Sequence, residues 1–458
     1  MNNNSKEKKY ILFSPVGTHD PIGVSEKDGI KEVSEGSMLH IIRHYKPEIV
    51  YLYITKELNK NDNRYKIAIE KFYPECKKVE EIYSKVDNVN SYDAFIDEFK
   101  SCIKQINDAD NKNREYDILL NISSGTPQMK SDLVLEVITN NIYLTPIQVS
   151  TPERASNFKD KFSFDLLDKI DINKEENDVR CTVPEVLSFR RAKLQSQIES
   201  LVESYEYSSA LTLIDNDKRS KPLFSNDLIK YLEHGALRMK LQYDKANKKI
   251  KLDEKNYNNE CIEFIEYYYV MKIKQSKSEL SDFILRISPF LTEILFYFLR
   301  KNVAALNRVL ENINGDKKIR VNASPDQKFI DYMNKRVKNL QDGNFITFYI
   351  LIFMHDFYAK NNKKLNSISK KLLDDLRDTE GKIRNVVAHR MINIDENFIK
   401  DALKESGNKT VKGEVVRDSK YILLKCEEIL KKVFPEFDKN YFVYDDINKK
   451  IKKILQKP

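Results

Sequence analysis

Residues 118–130 read ILLNISSGTPQMK, a short apolar run that leads through a small polar loop into a helix start. The run 118–122 predicts a buried β-strand, because a short apolar segment bounded by turn residues is typical of one. Thr126 is a natural N-cap and Pro127 a natural first helical residue, so free backbone N–H groups would point outward. Such a helix start favours an anion, and Gln128 could bind a base or a hydroxyl beside it. A plain strand-to-helix turn would use the same residues, and that alternative stays open at this point.

Around this stretch, the N-terminal third alternates between short apolar runs and amphipathic segments. Strands are predicted over 10–13, 49–54, 118–122 and 143–149, and helices near 31–45, 64–72 and 92–106 and from Pro127 onward. This alternation predicts a Rossmann-like domain with a mainly parallel sheet flanked by helices. In such a sheet, ligands bind beyond the carboxyl ends of the strands, so the loops that follow the strands are the candidate binding segments.

The loop after the first strand, residues 14–20, reads SPVGTHD and is also small and polar. Gly17 lets the backbone approach a ligand closely. His19 is a candidate ligand contact, although a histidine in a loop is more often merely solvated. Neither GxGxxG nor GxxxxGK(S/T) occurs, so a dinucleotide cofactor and a P-loop nucleoside triphosphatase are disfavoured.

The length of 458 residues is too great for one hydrophobic core and predicts two or three domains. No apolar run approaches the roughly 18 residues that a membrane span needs, and the polar N-terminus lacks a signal-peptide pattern, so we expect a cytoplasmic protein. The five cysteines are scattered without a CxxC pair, which disfavours a disulfide framework and a zinc site. A net charge of +8, from 78 basic and 70 acidic residues, gives only mild attraction to polyanions.

From about Asp178 onward, the strand pattern ends and apolar residues recur at helical spacing. Long helices are predicted over 183–205, 223–241, 259–274 and 278–301. The charged segment 171–178 is the predicted linker, and 245–259 is a predicted charged loop. The C-terminal two thirds of the chain is therefore predicted to be helical.

Residues 384–389 read RNVVAH and place a fixed cation, an amide and a titratable imidazole within six residues. An imidazole can take a proton from a ribose 2′-hydroxyl or give one to the leaving 5′-oxygen. The guanidinium of Arg384 always carries its charge, and its forked donors suit the charge that gathers on a reacting phosphate. These three groups suffice to cut RNA without a metal.

Helix geometry indicates how such a site would be assembled. At about 100° per residue, Asn385 and His389 are i, i+4 neighbours on one face, whereas Arg384 lies roughly 140° away from His389. The amide can therefore orient the imidazole, but one copy of the segment does not easily close a site. This favours a composite pocket across a two-fold dimer, in which each subunit offers the same patch. The alternative is an ordinary amphipathic helix end.

Taken together, these motifs resemble the CARF–HEPN ancillary ribonucleases of type III CRISPR systems, in the Csm-type branch. The resemblance rests on SPVGT at 14–18, SSGTPQ at 123–128 and RN followed by His389, in this order, and covers essentially the whole chain. It implies an α/β plus all-α architecture. The expected domains are a Rossmann-like CARF domain over 1–175, a helical linker domain over 176–285 and a helical HEPN domain over 286–458.

The resemblance implies that paired CARF domains of a homodimer bind a cyclic oligoadenylate across their two-fold axis. Cyclic hexa-adenylate is favoured over cyclic tetra-adenylate. The implied ligand-binding residues are Ser14, Gly17, Thr18, His19, Ser123, Ser124, Gly125, Thr126 and Gln128. Some relatives also cleave their activator slowly in this domain, which would give Thr126 a second, positioning role.

The resemblance further implies that Arg384, Asn385 and His389 are the catalytic residues of the HEPN domain. The expected reaction cuts single-stranded RNA without a metal or other cofactor and leaves 2′,3′-cyclic phosphate and 5′-hydroxyl ends. Segment 178–280 is the expected coupler, and the functional link to the type III interference complex requires no stable association. Two alternatives stay open: a CARF-type ligand sensor that acts as a non-catalytic regulator, and a HEPN toxin.

Overall fold

The computed structural model describes residues 8–27, 30–151, 162–216, 221–252, 257–313, 316–389, 394–404 and 417–457. For residues 25–27, 30–31, 187, 313 and 384–389 it describes the backbone alone. The chain forms two compact units, residues 1–194 and 195–458. The predicted three-domain division stays a prediction.

The first unit alternates strands and helices along the chain. Its strands are β1 (Lys9–Pro15), β2 (Ile22–Lys27), β3 (Ile30–Glu35), β4 (Ile49–Ile54), β5 (Lys78–Tyr83), β6 (Tyr116–Asn121), β7 (Leu144–Val149) and β8 (Cys181–Thr182). Its helices are α1 (Ser37–Tyr45), α2 (Arg64–Phe72), α3 (Ile96–Asp110), α4 (Pro127–Thr139), α5 (Ile172–Asn177) and α6 (Leu187–Glu203), the last of which extends into the second unit.

Six strands of this unit form one sheet in the order β5-β4-β1-β6-β7-β8. All neighbouring strands are parallel except β7 and β8, so the predicted mainly parallel sheet is confirmed. The chain builds outward from β1 on one side through β4 and β5, and then returns to the other side at β6. The carboxyl ends of β1 and β6 therefore flank the point at which the strand order reverses, where open α/β sheets bind ligands.

The sheet is covered on both faces because successive side chains of a strand point to opposite sides. On β1, Leu12 faces a core that includes residues of α1 and α2. Its neighbours Ile11 and Phe13 face the opposite core, which includes residues of α3 and α4. Because both faces are buried, the central strands are continuous apolar runs, which is why they could be recognised from sequence.

Three expectations for this unit were wrong in detail. The helix predicted near 31–45 begins only at Ser37, because 30–35 pair with β2 in an antiparallel hairpin that the sequence pattern did not indicate. Strand β5 was missed because it lies at the sheet edge and is only partly buried. The predicted linker 171–178 contains α5, and Glu175 within it is buried against the first unit.

The second unit is predominantly helical, as predicted. Its helices are α7 (Tyr207–Asp215), α8 (Asn226–Met239), α9 (Tyr243–Lys249), α10 (Asn259–Ser276), α11 (Leu280–Asn302), α12 (Leu306–Val309), α13 (Gln327–Arg336), α14 (Phe348–Ala359), α15 (Lys370–His389), α16 (Glu396–Leu403), α17 (Ser419–Val433) and α18 (Val443–Leu455). A short antiparallel hairpin of β9 (Leu310–Ile313) and β10 (Asp316–Ile319) corrects the expectation that strands end after Asp178.

Helix α11 lies at the centre of the second unit and packs against α10, α14, α15 and α17. Its buried face includes Phe283, Leu291 and Phe298, at spacings that keep apolar side chains on the packed side. Helix α15, which ends at His389, is thereby supported by the core of this unit. None of the helices in the described ranges is long and apolar enough to cross a membrane.

Candidate functional site

A cavity of about 250 Å³ lies at the carboxyl ends of β1 and β6 in the first unit. Its lining brings together six of the predicted ligand residues: Gly17, Thr18, His19, Ser123, Ser124 and Gly125. The loops after β1 and β6 are more than 100 residues apart in sequence, and the parallel pairing of the two strands places them side by side. The cavity therefore occupies the position that the sheet topology predicts for a ligand.

The two loops approach each other so closely at Gly17 that a side chain there would be crowded. A Cβ atom built there would lie 3.1 Å from both the backbone nitrogen of Gly125 and the Oγ of Ser124. Because such a contact is tighter than ordinary van der Waals distance, glycine at this position lets the loops meet. Backbone therefore forms part of the cavity wall, as expected for a loop that brings main-chain groups to a ligand.

The loop after β6 ends in the predicted helix start. Thr126 is the N-cap of α4, and its hydroxyl accepts a hydrogen bond from the Met129 N–H at 3.3 Å, with Pro127 as the first helical residue. Gly125 adopts a φ of +88°, a conformation that a side chain disfavours. Lys130, in the first turn of α4, lines the cavity and adds a positive charge to the helix start.

Three predicted ligand residues lie elsewhere in the described structure. Ser14 is fully buried behind the cavity, where it accepts a hydrogen bond from the Asn121 amide at 2.9 Å. Thr126 and Gln128 are half-buried at the start of α4 and are outside the cavity lining of this single chain. Their contacts with a ligand stay predictions.

Asp20 lines the cavity and is not among the predicted ligand residues. Its buried carboxylate accepts hydrogen bonds from the Gly17 N–H at 2.9 Å and from the Ser124 hydroxyl. It also accepts one from the Met38 N–H at 3.1 Å. Burial raises the pKa of this carboxyl, and the bonds from Ser124, Gly17 and Met38 oppose the rise. A signal was present in the sequence, since Asp20, directly before Pro21, ends the small polar loop of predicted ligand residues.

Arg180 and Glu35 also line the cavity, and neither was predicted. The buried Arg180 guanidinium donates to the Glu35 carbonyl at 3.2 Å and to the Glu175 carboxylate at 2.9 Å. It also donates to the Ser150 carbonyl at 3.3 Å. These partners come from β3, α5 and the residue after β7, so one cation connects two segments of the cavity wall with α5. No local sequence pattern indicates this, because the contacts span up to 145 positions.

Behind the cavity, His40 and the carboxylates of Glu35 and Glu175 bring potential metal-ligand atoms within 4.8 Å of one another. Two guanidinium groups already form charge-assisted hydrogen bonds with these carboxylates: Arg43 donates to Glu35 at 3.0 Å, and Arg180 donates to Glu175. The cluster is therefore a neutralised ion-pair network rather than a vacant cation site. Burial disfavours charge on all three groups, but the hydrogen bonds of the network outweigh it. They raise the pKa of His40 and lower those of Glu35 and Glu175.

The predicted nuclease segment lies at the end of α15 in the second unit. The backbone is helical through His389, which confirms the helical setting assumed for Asn385 and His389. The side chains of 384–389 lie outside the described residues, so the catalytic roles of Arg384, Asn385 and His389 stay predictions.

Three family models match this chain. The Cas_Csm6 CARF domain matches residues 75–185, the CRISPR-associated protein Csm6 6H domain matches 184–239, and the Cas_Csm6 HEPN domain matches 252–452. These matches follow one another in the order expected from the sequence.

Among known proteins, the CRISPR system endoribonuclease Csm6 of Enterococcus italicus is 25% identical over 469 residues, covering 97% of this chain and 100% of that protein. The Mycobacterium tuberculosis protein of the same name is 27% identical over 400 residues, covering 85% and 89%. The solved structure of Enterococcus italicus Csm6 bound to cyclic hexa-2′-fluoro-hexa-dAMP has a TM-score of 0.70 at 23% identity. It covers 97% of this chain and 100% of that one, which shows that the fold is shared along the whole length.

Proposed function

Because this chain belongs to the Csm6 family of CRISPR-associated endoribonucleases, we propose that it is a metal-independent single-strand ribonuclease activated by a cyclic oligoadenylate. The observation that carries the proposal is the cavity at the ends of β1 and β6, lined by both predicted ligand loops. The same chain carries the Arg384–His389 segment on a helix of its second unit.

The chemistry of the cavity suits a ribose-phosphate ligand. Its wall consists mainly of small polar residues and backbone, and Lys130 brings a positive charge to it, whereas the charge of Arg180 is paired with Glu175. The start of α4 beside the cavity adds the partial positive charge of a helix N-terminus, which favours phosphate. We propose cyclic hexa-adenylate as the activator rather than cyclic tetra-adenylate, since the Enterococcus italicus relative was solved with a cyclic hexa-AMP analogue.

The size of the cavity supports a homodimer. At about 250 Å³, it falls below the ~300–1,000 Å³ that pockets for drug-sized ligands span. A ring of six nucleotides is larger than such ligands and needs a second copy of the cavity. We propose an isologous pair of first units with the ring on the two-fold axis. In this arrangement Thr126 and Gln128, which lie between the cavity residues Gly125 and Lys130 in the chain, would reach the ring.

In the second unit, His389 would take the proton of the ribose 2′-hydroxyl or give one to the leaving 5′-oxygen. Arg384 would stabilise the charge that develops on the phosphate, and Asn385 would orient the imidazole. Attack by the 2′-hydroxyl gives a 2′,3′-cyclic phosphate and a 5′-hydroxyl end. The His389 pair of a dimer provides both proton transfers, so the reaction requires no metal.

Activation requires a difference in affinity. The ring shifts the nuclease equilibrium only if it binds the active dimer more tightly than the resting one. Segment 178–280, which includes α6 and leads from the cavity residue Arg180 into the second unit, is the proposed coupler. In the cell the ring would come from the type III interference complex, without stable association between the two.

Cleavage of a fluorogenic single-stranded RNA in EDTA tests the proposal, with cyclic tetra- and hexa-adenylate added separately. We expect hexa-adenylate-dependent cleavage by the wild type and by His44→Ala, an exposed histidine of the first unit, but none by His389→Ala. No cleavage with either ring would contradict the proposal. Cleavage by His389→Ala would exclude the catalytic role of the segment and favour a non-catalytic sensor.

We also propose that the first unit slowly cleaves its own activator, with Thr126 as a positioning group. The test is incubation of His389→Ala with cyclic hexa-adenylate, followed by chromatography of the nucleotides. We expect His389→Ala to produce linear nucleotides from the ring. The double variant His389→Ala, Thr126→Ala should produce less of them. An intact ring after many hours would remove this part of the proposal.

A further inference from the structure

Asp20 connects three separate elements at the floor of the cavity. One carboxylate oxygen accepts from Gly17 in the loop after β1 and from Ser124 in the loop after β6. The other oxygen accepts from the Met38 N–H, in the first turn of α1. The side chain is only 5% exposed, so these bonds are shielded from water and depend on one another.

The start of α1 is built to receive this carboxylate. Its N-cap is Gly36, which has no side chain to cap the helix. A Cβ atom built at Gly36 would overlap the His19 carbonyl and lie 2.6 Å from the Asp20 Oδ1. Asp20 therefore occupies the place of an N-cap side chain and caps α1 from another part of the chain.

We propose that Asp20 is a positioning residue for the activator: it holds the two ligand loops against each other in the conformation that binds the ring. The proposal rests on the proposed function. It assigns Asp20 a role through Gly17 and Ser124, whose loops line the cavity. Without the carboxylate, the loops must be ordered when the ring binds, and that ordering reduces affinity.

Hydrogen-bonding capacity explains why the position requires a carboxylate. Three donors converge on Asp20, and an ionised carboxylate has an acceptor oxygen on each side. An asparagine has one acceptor oxygen and one NH₂ group. In either orientation, its NH₂ would face the N–H of Gly17 or of Met38, and at least one bond would be lost.

The decisive experiment measures RNA cleavage against cyclic hexa-adenylate concentration for the wild type and Asp20→Asn. The matched control is Asp132→Asn, because Asp132 is also a buried carboxylate of the first unit and accepts from the Phe95 N–H at 3.3 Å. Asp132 lies outside the cavity lining. Direct ring binding by calorimetry and a thermal melt are recorded for all three proteins.

We expect Asp20→Asn to raise the ring concentration for half-maximal cleavage about tenfold, with a matching loss in direct binding and a smaller change in the maximal rate. Asp132→Asn should keep the wild-type half-activation concentration even where its melting temperature falls. The proposal is overturned if Asp20→Asn is activated at the wild-type concentration, or if both variants shift equally. A wild type that does not respond to the ring would instead refute the proposed function.

Ser124→Ala keeps the test decisive if Asp20→Asn does not fold, because it removes a single donor from the carboxylate. An increase of about threefold in the half-activation concentration is expected from the lost bond, and no change contradicts the role of Asp20. If both variants fold, the double variant should show less than the sum of the single effects, since Ser124 and Asp20 share one bond.

Discussion

At the scale of single residues, the cavity depends on two glycines used for different reasons. Gly17 provides room, because a side chain there would press on the backbone of the opposite loop. Gly125 provides a backbone conformation, with a φ of +88°. A Cβ atom at Gly125 would also lie 2.6 Å from the Met129 sulfur. The turn into α4 therefore combines conformational and steric demands at one position.

We expect Gly125→Ala to destabilise the first unit by about 1–2 kcal/mol from the left-handed backbone alone, and by more because Met129 must move. The variant should also need more ring for activation. Gly343→Ala is the control, since Gly343 has a φ of +90° but no neighbour within 4 Å of a built Cβ. Urea unfolding measures the loss in free energy of unfolding for both variants. Equal losses would show that packing around Gly125 is unimportant.

At the scale of elements, the ion-pair network behind the cavity joins β3, α1 and α5. The Glu35 carboxylate accepts a hydrogen bond from Arg43. The Glu175 carboxylate accepts one from Arg180 and another from the Glu35 N–H, at 3.1 Å. Removing one member of a buried network leaves another charge without its partner, which costs more than losing an exposed pair. The network therefore holds the C-terminal segment of the first unit against the hairpin and α1.

We expect Glu175→Gln to lower the free energy of unfolding of the first unit by about 3–5 kcal/mol. Lys174→Gln, next to it on α5, breaks an exposed pair with Glu32 and should cost under ~1 kcal/mol. Urea unfolding at neutral pH distinguishes the two. Similar losses in both variants would mean that the buried pair contributes no more than a surface pair.

The same network makes the stability of the first unit depend on pH. The pKa values of Glu35 and Glu175 lie below their ordinary 4.5, so their contribution is complete above that pH and is lost as the pH falls through the lowered values. The pKa of His40 lies above its ordinary 6.5, so its contribution is complete below 6.5 and is lost as the pH rises through the raised value. Urea unfolding measured from about pH 4 to about pH 9 should therefore give the highest free energy of unfolding between the ordinary values 4.5 and 6.5. Glu175→Gln should make this pH profile flatter.

At the scale of the whole molecule, the proposed ligand site and the proposed nuclease segment belong to different compact units. A ligand that binds only the folded state stabilises it by about 2.7 kcal/mol at a hundredfold excess over its Kd. Cyclic hexa-adenylate should therefore raise the melting temperature of wild type and His389→Ala alike, and Asp20→Asn should need more ring for the same shift. Loss of the shift in His389→Ala would contradict this separation of roles.

Much of the fold could be predicted because its signals are local. The central strands are apolar runs, and Thr126 with Pro127 begins α4 as predicted. The edge strand β5 was missed because its residues are only partly buried. The β2–β3 hairpin was missed because its second strand directly precedes α1 and was predicted as part of that helix. The charge of 171–178 predicts a solvated linker, but the segment contains a helix whose buried Glu175 is neutralised by Arg180.

The sequence by itself determined the small, polar composition of the two predicted ligand loops, the helical setting of Arg384 and His389, and the order of the family's motifs. These are properties of neighbouring residues, and helix and strand periodicity expresses them directly. Only the tertiary structure decided that the Ser124 hydroxyl donates to Asp20 and that Arg180 donates to the Glu35 carbonyl in the cavity wall. Such contacts depend on the order in which strands pair. The placement of β1 beside β6 brings together side chains that are far apart in the sequence and follow no regular spacing.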